Sequence, residues 1–134
     1  MPKFVSMEEA AKLIPSGATV MAGGFMGCGS AHRFLTALSQ SGVKDLTIIC
    51  NDGSKPGGPL GEDYYGVAKL IHNRQVKRLI TSHVGLNPEV AQQNMQDGTL
   101  EVTLVPQGSL AEMIRAGGAG LGGILTPTGV GTVV

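Results

Sequence analysis

The chain has 134 residues, ten basic and ten acidic side chains, 42% hydrophobic residues and no Trp. That length supports one domain with a single core over residues 1–134, and an apolar, net-neutral composition excludes a disordered chain. No Lys or Arg run offers an electrostatic footprint for nucleic acid, and no apolar stretch approaches the ~20 residues of a membrane span.

In chain order, Ser6 and Glu9 have capping-box spacing and predict a helix from Ser6 to Ile14, ended by Pro15-Ser16-Gly17. Ala18 to Ala22 is a short apolar run that suits a buried strand, and it empties into Gly23-Gly24-Phe25-Met26-Gly27-Cys28-Gly29. A helix follows from Ala31 to Ser41, then a strand from Leu46 to Cys50 and the triplet Asn51-Asp52-Gly53. Ser54 to Gly61, with two prolines and three glycines, is a long loop. A helix is expected from about Asp63 to Asn73 and a strand from Arg78 to Ser82. Asn87-Pro88 opens the next helix, Leu100 to Val105 forms a fourth strand, and Ser109 with Glu112 predicts a second capping box for a helix to Ala116. Gly117 to Val134 holds seven glycines and no helical period.

Strands alternating with helices predict an α/β fold: an open, mostly parallel sheet with right-handed crossovers and helices on both faces. Ligands of such sheets lie beyond the carboxyl ends of the strands. There this chain places Gly23-Gly24-Phe25, Asn51-Asp52, His83 and Gln107. That convergence is the main local evidence for a site.

Two glycine patterns compete for the role of ligand loop. Gly118, Gly120 and Gly123 match G-x-G-x-x-G, but a helical segment precedes them and Ile124-Leu125-Thr126-Pro127 follows, so the dinucleotide-binding context is missing. Gly23 to Gly29 does join a strand to a helix, where residues without Cβ let backbone N–H groups approach a ligand. Its bland alternative is a tight turn packed under a neighbour. Gln107 can donate and accept at a strand end, which suits a carboxylate or thioester oxygen as well as a loop hydrogen bond. Asn51 and Asp52 serve equally as turn formers before Gly53, and Asp52 is read first as one. His32, His72 and His83 share no metal spacing, and Cys28 with His32 has no second pair, so no metal site is expected. His72 reads as a solvated residue and His83 as a packing residue. No paired carboxylates and no G-x-S-x-G elbow appear, so no nucleophile is evident. The acidic, amphipathic amino end, MPKFVSMEEAAKL, carries no secretory signal. Cys28 and Cys50, in apolar surroundings, suit reduced thiols of a cytoplasmic protein.

Taken together, Gly23 to Gly29 (GGFMGCG), Ile49 to Asp52 (ICND), Pro106 to Gly123 (PQGSLAEMIRAGGAGLGG) and Thr126 to Val134 (TPTGVGTVV) resemble the alpha subunit of the family I CoA-transferases. The resemblance covers essentially the whole chain. It implies a heteromeric, ping-pong transferase that moves coenzyme A between short-chain acids such as acetate and acetoacetate. A glutamate of the beta subunit would attack the acyl-CoA thioester and carry a glutamyl-CoA thioester, which explains a chain without its own nucleophile. It further implies that Gly23, Gly24, Phe25, Met26, Gly27, Cys28 and Gly29 bind coenzyme A, as a substrate rather than a resident cofactor. Gln107 and Asn51 would orient the acid. The chain departs from the family pattern at Ser16, where Asp or Asn is usual, and at Ala31, where Pro is. The family's alpha subunit also continues well past Val134, so an amino-terminal part, truncated at the carboxyl end, is expected. Two other readings stay open: a non-catalytic assembly module, and a sugar-phosphate isomerase of related sheet architecture.

Overall fold

The computed structural model describes residues 4–133; Met1 to Lys3 at the amino end, and Val134, the last residue of the carboxyl-terminal motif, lie outside them. Helix α1 (Met7–Lys12) starts where the sequence places it. Glu9 N donates to Ser6 Oγ at 3.1 Å and Ser6 N donates to the Glu9 carboxylate at 2.8 Å, closing the capping box. Then follow β1 (Thr19–Met21), α2 (His32–Gln40), β2 (Leu46–Ile49), α3 (Ala68–His72), β3 (Val76–Thr81) and α4 (Pro88–Ala91). A π-helical turn over Gln92–Gln96 extends α4, and β4 (Glu101–Leu104) and α5 (Gln107–Gly118) complete the order.

The four strands form one sheet in the order β1-β2-β3-β4, every pair parallel. The expected α/β class and open parallel sheet are therefore observed. In-register neighbours Val20, Ile48, Leu79 and Val102 share one face, because side chains alternate along a strand and align across it. On that face Ile48 and Leu79 meet Leu38 of α2, Leu70 and Ile71 of α3 and Val90 of α4 in a single buried cluster. Helix α1 packs on α2, α2 on α3 and α3 on α4, so these helices line up as one layer. The opposite face carries Thr19, Met21, Arg78, Glu101 and Thr103, all exposed, with Arg78 and Glu101 paired across register neighbours at 3.0 Å. Helices α1 to α4 thus cover one face of the sheet. A four-stranded parallel sheet in sequential order explains this, since crossovers of one hand return α2, α3 and α4 to the same side.

Strand β3 begins at Val76, two residues before the expected Arg78, and two helices also differ from the sequence expectation. Helix α3 begins at Ala68, not near Asp63. Gly66, at φ 59°, interrupts the helical run, and the residues before it serve a loop in which Gly57 N and Gly58 N donate to the carbonyls of Asp63 and Glu62. Helix α5 begins at Gln107 rather than Ser109, with Pro106 as its N-cap and no side-chain cap, so the Ser109–Glu112 capping box does not form. The fixed φ of Pro106, −50°, leads directly into the helix.

Candidate functional site

Because the strands are all parallel, their carboxyl ends lie on one rim, and the rim collects residues from every connection. After β1 the chain makes a two-residue hairpin: Phe25 and Cys28 exchange backbone hydrogen bonds at 3.0 and 2.9 Å. Both central residues are left-handed, Met26 at φ 53° and Gly27 at φ 84°, the geometry of a type I′ turn. The loop is tied to itself where Ser30 Oγ donates to the Gly23 carbonyl at 2.9 Å and Ser30 N to the Gly27 carbonyl at 3.2 Å.

Its glycines divide into two kinds. A Cβ on Gly24, at φ 115°, would meet Ser30 Oγ and the Cys28 carbonyl; a Cβ on Gly27 would enter the ring of Tyr65. These two are required by the loop's own packing, which is the bland reading of the sequence. Gly23 has nothing within 4 Å of its Cβ direction, and Gly29 meets only the Gly24 Cα at 3.9 Å. Those two leave the backbone open to an approaching group. Among the described residues, the N–H groups of Gly23, Gly24, Gly27 and Gly29 donate to no protein acceptor, whereas those of Phe25, Met26, Cys28 and Ser30 do. Of these four, Gly23 and Gly29 are exposed, and uncommitted donors on open backbone suit an oxygen-rich or amide-bearing ligand.

The end of β2 fastens this loop to the rest of the rim. Asn51 Nδ2 donates to the Gly24 carbonyl at 2.8 Å, which turns its Oδ1 outward to accept from Gln107 Nε2 at 2.7 Å. The Asn51 carbonyl in turn accepts from Ser82 N and Ser82 Oγ and from Thr81 Oγ1, at 3.1, 2.8 and 2.9 Å, anchoring it to the end of β3. Gln107 is therefore no loop residue. It is the exposed first residue of α5, held by one N–H, with its Oε1 left to solvent at the positive end of a helix.

Asp52 is buried, and both of its oxygens are engaged, Oδ1 by Ser54 N and Oδ2 by Met26 N, each at 2.7 Å. His83 is exposed beside Asp52 and Gly85 at the end of β3. His72 lies away from the rim and is not simply solvated: its Nδ1 meets Glu89 at 3.0 Å and its ring stacks on Tyr64. Of the two thiols, Cys50 is buried, and burial first, then the Asp52 charge, pushes it up to about 12. Cys28 is exposed on the hairpin, contrary to the apolar surroundings expected for it. Ser16 accepts from Lys44 N far from the loop, and Ala31 caps α2 without a side-chain bond, so neither departure from the family pattern touches the glycines directly.

Sequence reasoning missed the support beneath the hairpin. Tyr65 lies against Gly27 and stacks on His32, the rings 3.6 Å apart, while a Cβ on Gly66 would stand 3.5 Å from the Gly27 Cα. The glycine at 66, inside a run that otherwise reads as helix, is the one signal for it in the sequence.

The family model for coenzyme A transferase matches residues 4–134. The alpha subunit of acetate CoA-transferase from Escherichia coli (strain K12) is 48% identical over 132 residues, covering 98% of this chain and 56% of that protein. The acetoacetyl-CoA:acetate/butyrate CoA transferase alpha subunit of Clostridium acetobutylicum is 43% identical over 132 residues, covering 98% of this chain and 57% of that protein. The chain spans about half the length of the curated relatives it matches. Among solved structures, a variant of the decarboxylase AibA/AibB superposes with a TM-score of 0.70 at 24% identity, covering 89% of this chain and 44% of that one, a likeness of fold alone.

Proposed function

The chain belongs to the coenzyme A transferase family, and from that premise we propose that it is the alpha subunit, or the amino-terminal part of one, of a heteromeric enzyme moving coenzyme A between short-chain carboxylic or 3-oxo acids. The observation that carries this reading is the hydrogen-bonded chain Gln107–Asn51–Gly24, which joins a polar side chain at a helix amino end to a loop with free N–H groups. One end suits a carboxylate. The other suits the thioester arm of coenzyme A.

In this reading the glycine loop, Gly23 to Gly29, receives acyl-CoA through the N–H groups that the fold leaves uncommitted. Gln107 takes the acid with its free Oε1 and remaining N–H facing solvent, its plane fixed by Asn51. A bound carboxylate accepts from the N–H and from the helix end; a protonated oxygen can meet Oε1. Covalent catalysis requires a carboxylate that can reach the thioester carbon. The carboxylate at the strand ends, Asp52, has both oxygens bonded to backbone N–H groups and is buried, so it is not free to attack. The nucleophilic glutamate is, as the family resemblance implies, the beta subunit's, and that subunit carries the coenzyme A while the first acid leaves and the second enters.

The test is acyl exchange between an acyl-CoA and a labelled short-chain acid, measured for this chain co-purified with a candidate beta subunit, then for each chain alone. Exchange by the pair only is expected. Exchange by this polypeptide without any partner overturns the two-subunit reading.

A further inference from the structure

Asp52 has no part in the chemistry just described, yet a carboxylate at 3% exposure is costly unless its oxygens are bonded. Its bond to Ser54 N is the local turn that an Asp-Gly pair forms readily. Its bond to Met26 N crosses 26 residues of sequence and is not needed for that turn. Both donor residues share an unusual feature. Met26 lies at φ 53° and Ser54 at φ 55°, a region that residues with side chains avoid. One carboxylate thus holds two left-handed residues, one in the hairpin and one in the segment below it, where Ser54 sits against Gly66 and Gly66 against Gly27. Asn51, its neighbour, holds the same loop at the Gly24 carbonyl. The hairpin is pinned on both sides of Phe25, with Gly27 buried on Tyr65, and the exposed Gly29, whose N–H is free, follows at its end.

We propose that Asp52 is a positioning residue for acyl-CoA: by accepting from Met26 N it fixes the left-handed turn that aims the exposed, uncommitted N–H group of Gly29 at the thioester arm. This rests on the function proposed above. The carboxylate suits the task because it only accepts, with an oxygen for each N–H. An amide has one acceptor oxygen and would present a donor to one of the two N–H groups.

The experiment compares the two-subunit complex carrying the wild-type chain, Asp52→Ala, Asp52→Asn, Met26→Gly and the double variant Asp52→Ala/Met26→Gly, with KM measured separately for acyl-CoA and for the acid. Asp52→Ala raises the KM for acyl-CoA by about tenfold, the size of one lost charge-assisted hydrogen bond, and leaves the KM for the acid and kcat much less affected. Asp52→Asn falls between. Met26→Gly recovers most of the loss in the Asp52→Ala background, because glycine takes a positive φ without help; a residue needed only for the Ser54 turn gives no such recovery. Amide hydrogen exchange at Met26 supplies a readout that does not depend on activity, and it accelerates in both Asp52 variants while circular dichroism stays native. Should Asp52→Ala fail to fold, Asp52→Asn with and without Met26→Gly makes the same comparison. An unchanged KM for acyl-CoA, equal losses for acid and acyl-CoA, or no recovery by Met26→Gly overturns the assignment. A wild-type complex that exchanges no coenzyme A overturns the functional reading instead, and Met26 exchange then still decides whether Asp52 holds the turn.

Discussion

Replacing Gln107 by Leu keeps the side-chain volume close to that of Gln and removes every polar atom beyond the backbone. Two bonds are at stake. The first, to Asn51 Oδ1 at 2.7 Å, lies at an exposed position, so water replaces the lost partner and stability falls by no more than about 0.5–1 kcal/mol. The second is the proposed bond to the acid. A hydrogen bond to a charged group contributes about 1.5–3 kcal/mol, which is roughly ten- to more than a hundredfold in kcat/KM for the acid. The glycine loop keeps its own ties, because Asn51 Nδ2 still holds the Gly24 carbonyl and Asp52 still holds Met26 N. The KM for acyl-CoA is therefore expected to change far less than that for the acid. Steady-state constants for each substrate in the reconstituted complex make the comparison. Equal changes in both, or none in either, would show that Gln107 only fastens α5 to the rim.

Gly23 and Gly24 separate ligand contact from packing. Gly23→Val meets nothing within 4 Å and is expected to weaken acyl-CoA binding, read by titration calorimetry on the complex, with the melting temperature unchanged. Gly24→Val, at φ 115° against Ser30 and the Cys28 carbonyl, is expected to lose both, with strain on the order of 1–3 kcal/mol; a Gly23→Val protein that binds normally would leave the loop a packing feature. The two cysteines differ in the same testable way. Iodoacetamide at pH 8 is expected to label Cys28 in the native chain and Cys50 only after denaturation, since burial pushes the Cys50 thiol up to about 12. A raised thiol keeps its proton in the folded chain after the unfolded chain has released it, so stability is constant below the ordinary value of 9.0 and falls as pH rises from there towards about 12. Two labels on the native protein, read by intact mass, would contradict this burial.

The rim is legible in the sequence because glycine and polar residues interrupt apolar runs at each strand end, and Gly23 to Gly29, Asn51 and Gln107 all lie there. What joins them is not legible. The Asn51 bridge to Gly24 and Gln107 links positions 27 and 56 residues apart, and local spacing carries no trace of such pairs. Asp52 shows the same limit in one side chain: its turn with Ser54 follows from the sequence Asp-Gly, while its hold on Met26 depends on β1 and β2 lying side by side. The start of α5 is misplaced by spacing alone because Ser109 and Glu112 mimic a cap, although Pro106 already sets the backbone for a helix two residues earlier. Tyr65 gives no local sign at all. Its role arises only where the loop before α3 passes under the hairpin.

In the proposed division of labour this chain binds and orients while a partner's carboxylate carries the coenzyme A. Intact mass spectrometry of both subunits, after the complex is incubated with acyl-CoA and no acceptor acid, tests it directly. A coenzyme A adduct is expected on the partner and none on this chain, because Asp52 is buried with both oxygens bonded. An adduct on this chain, with the partner unmodified, would contradict it.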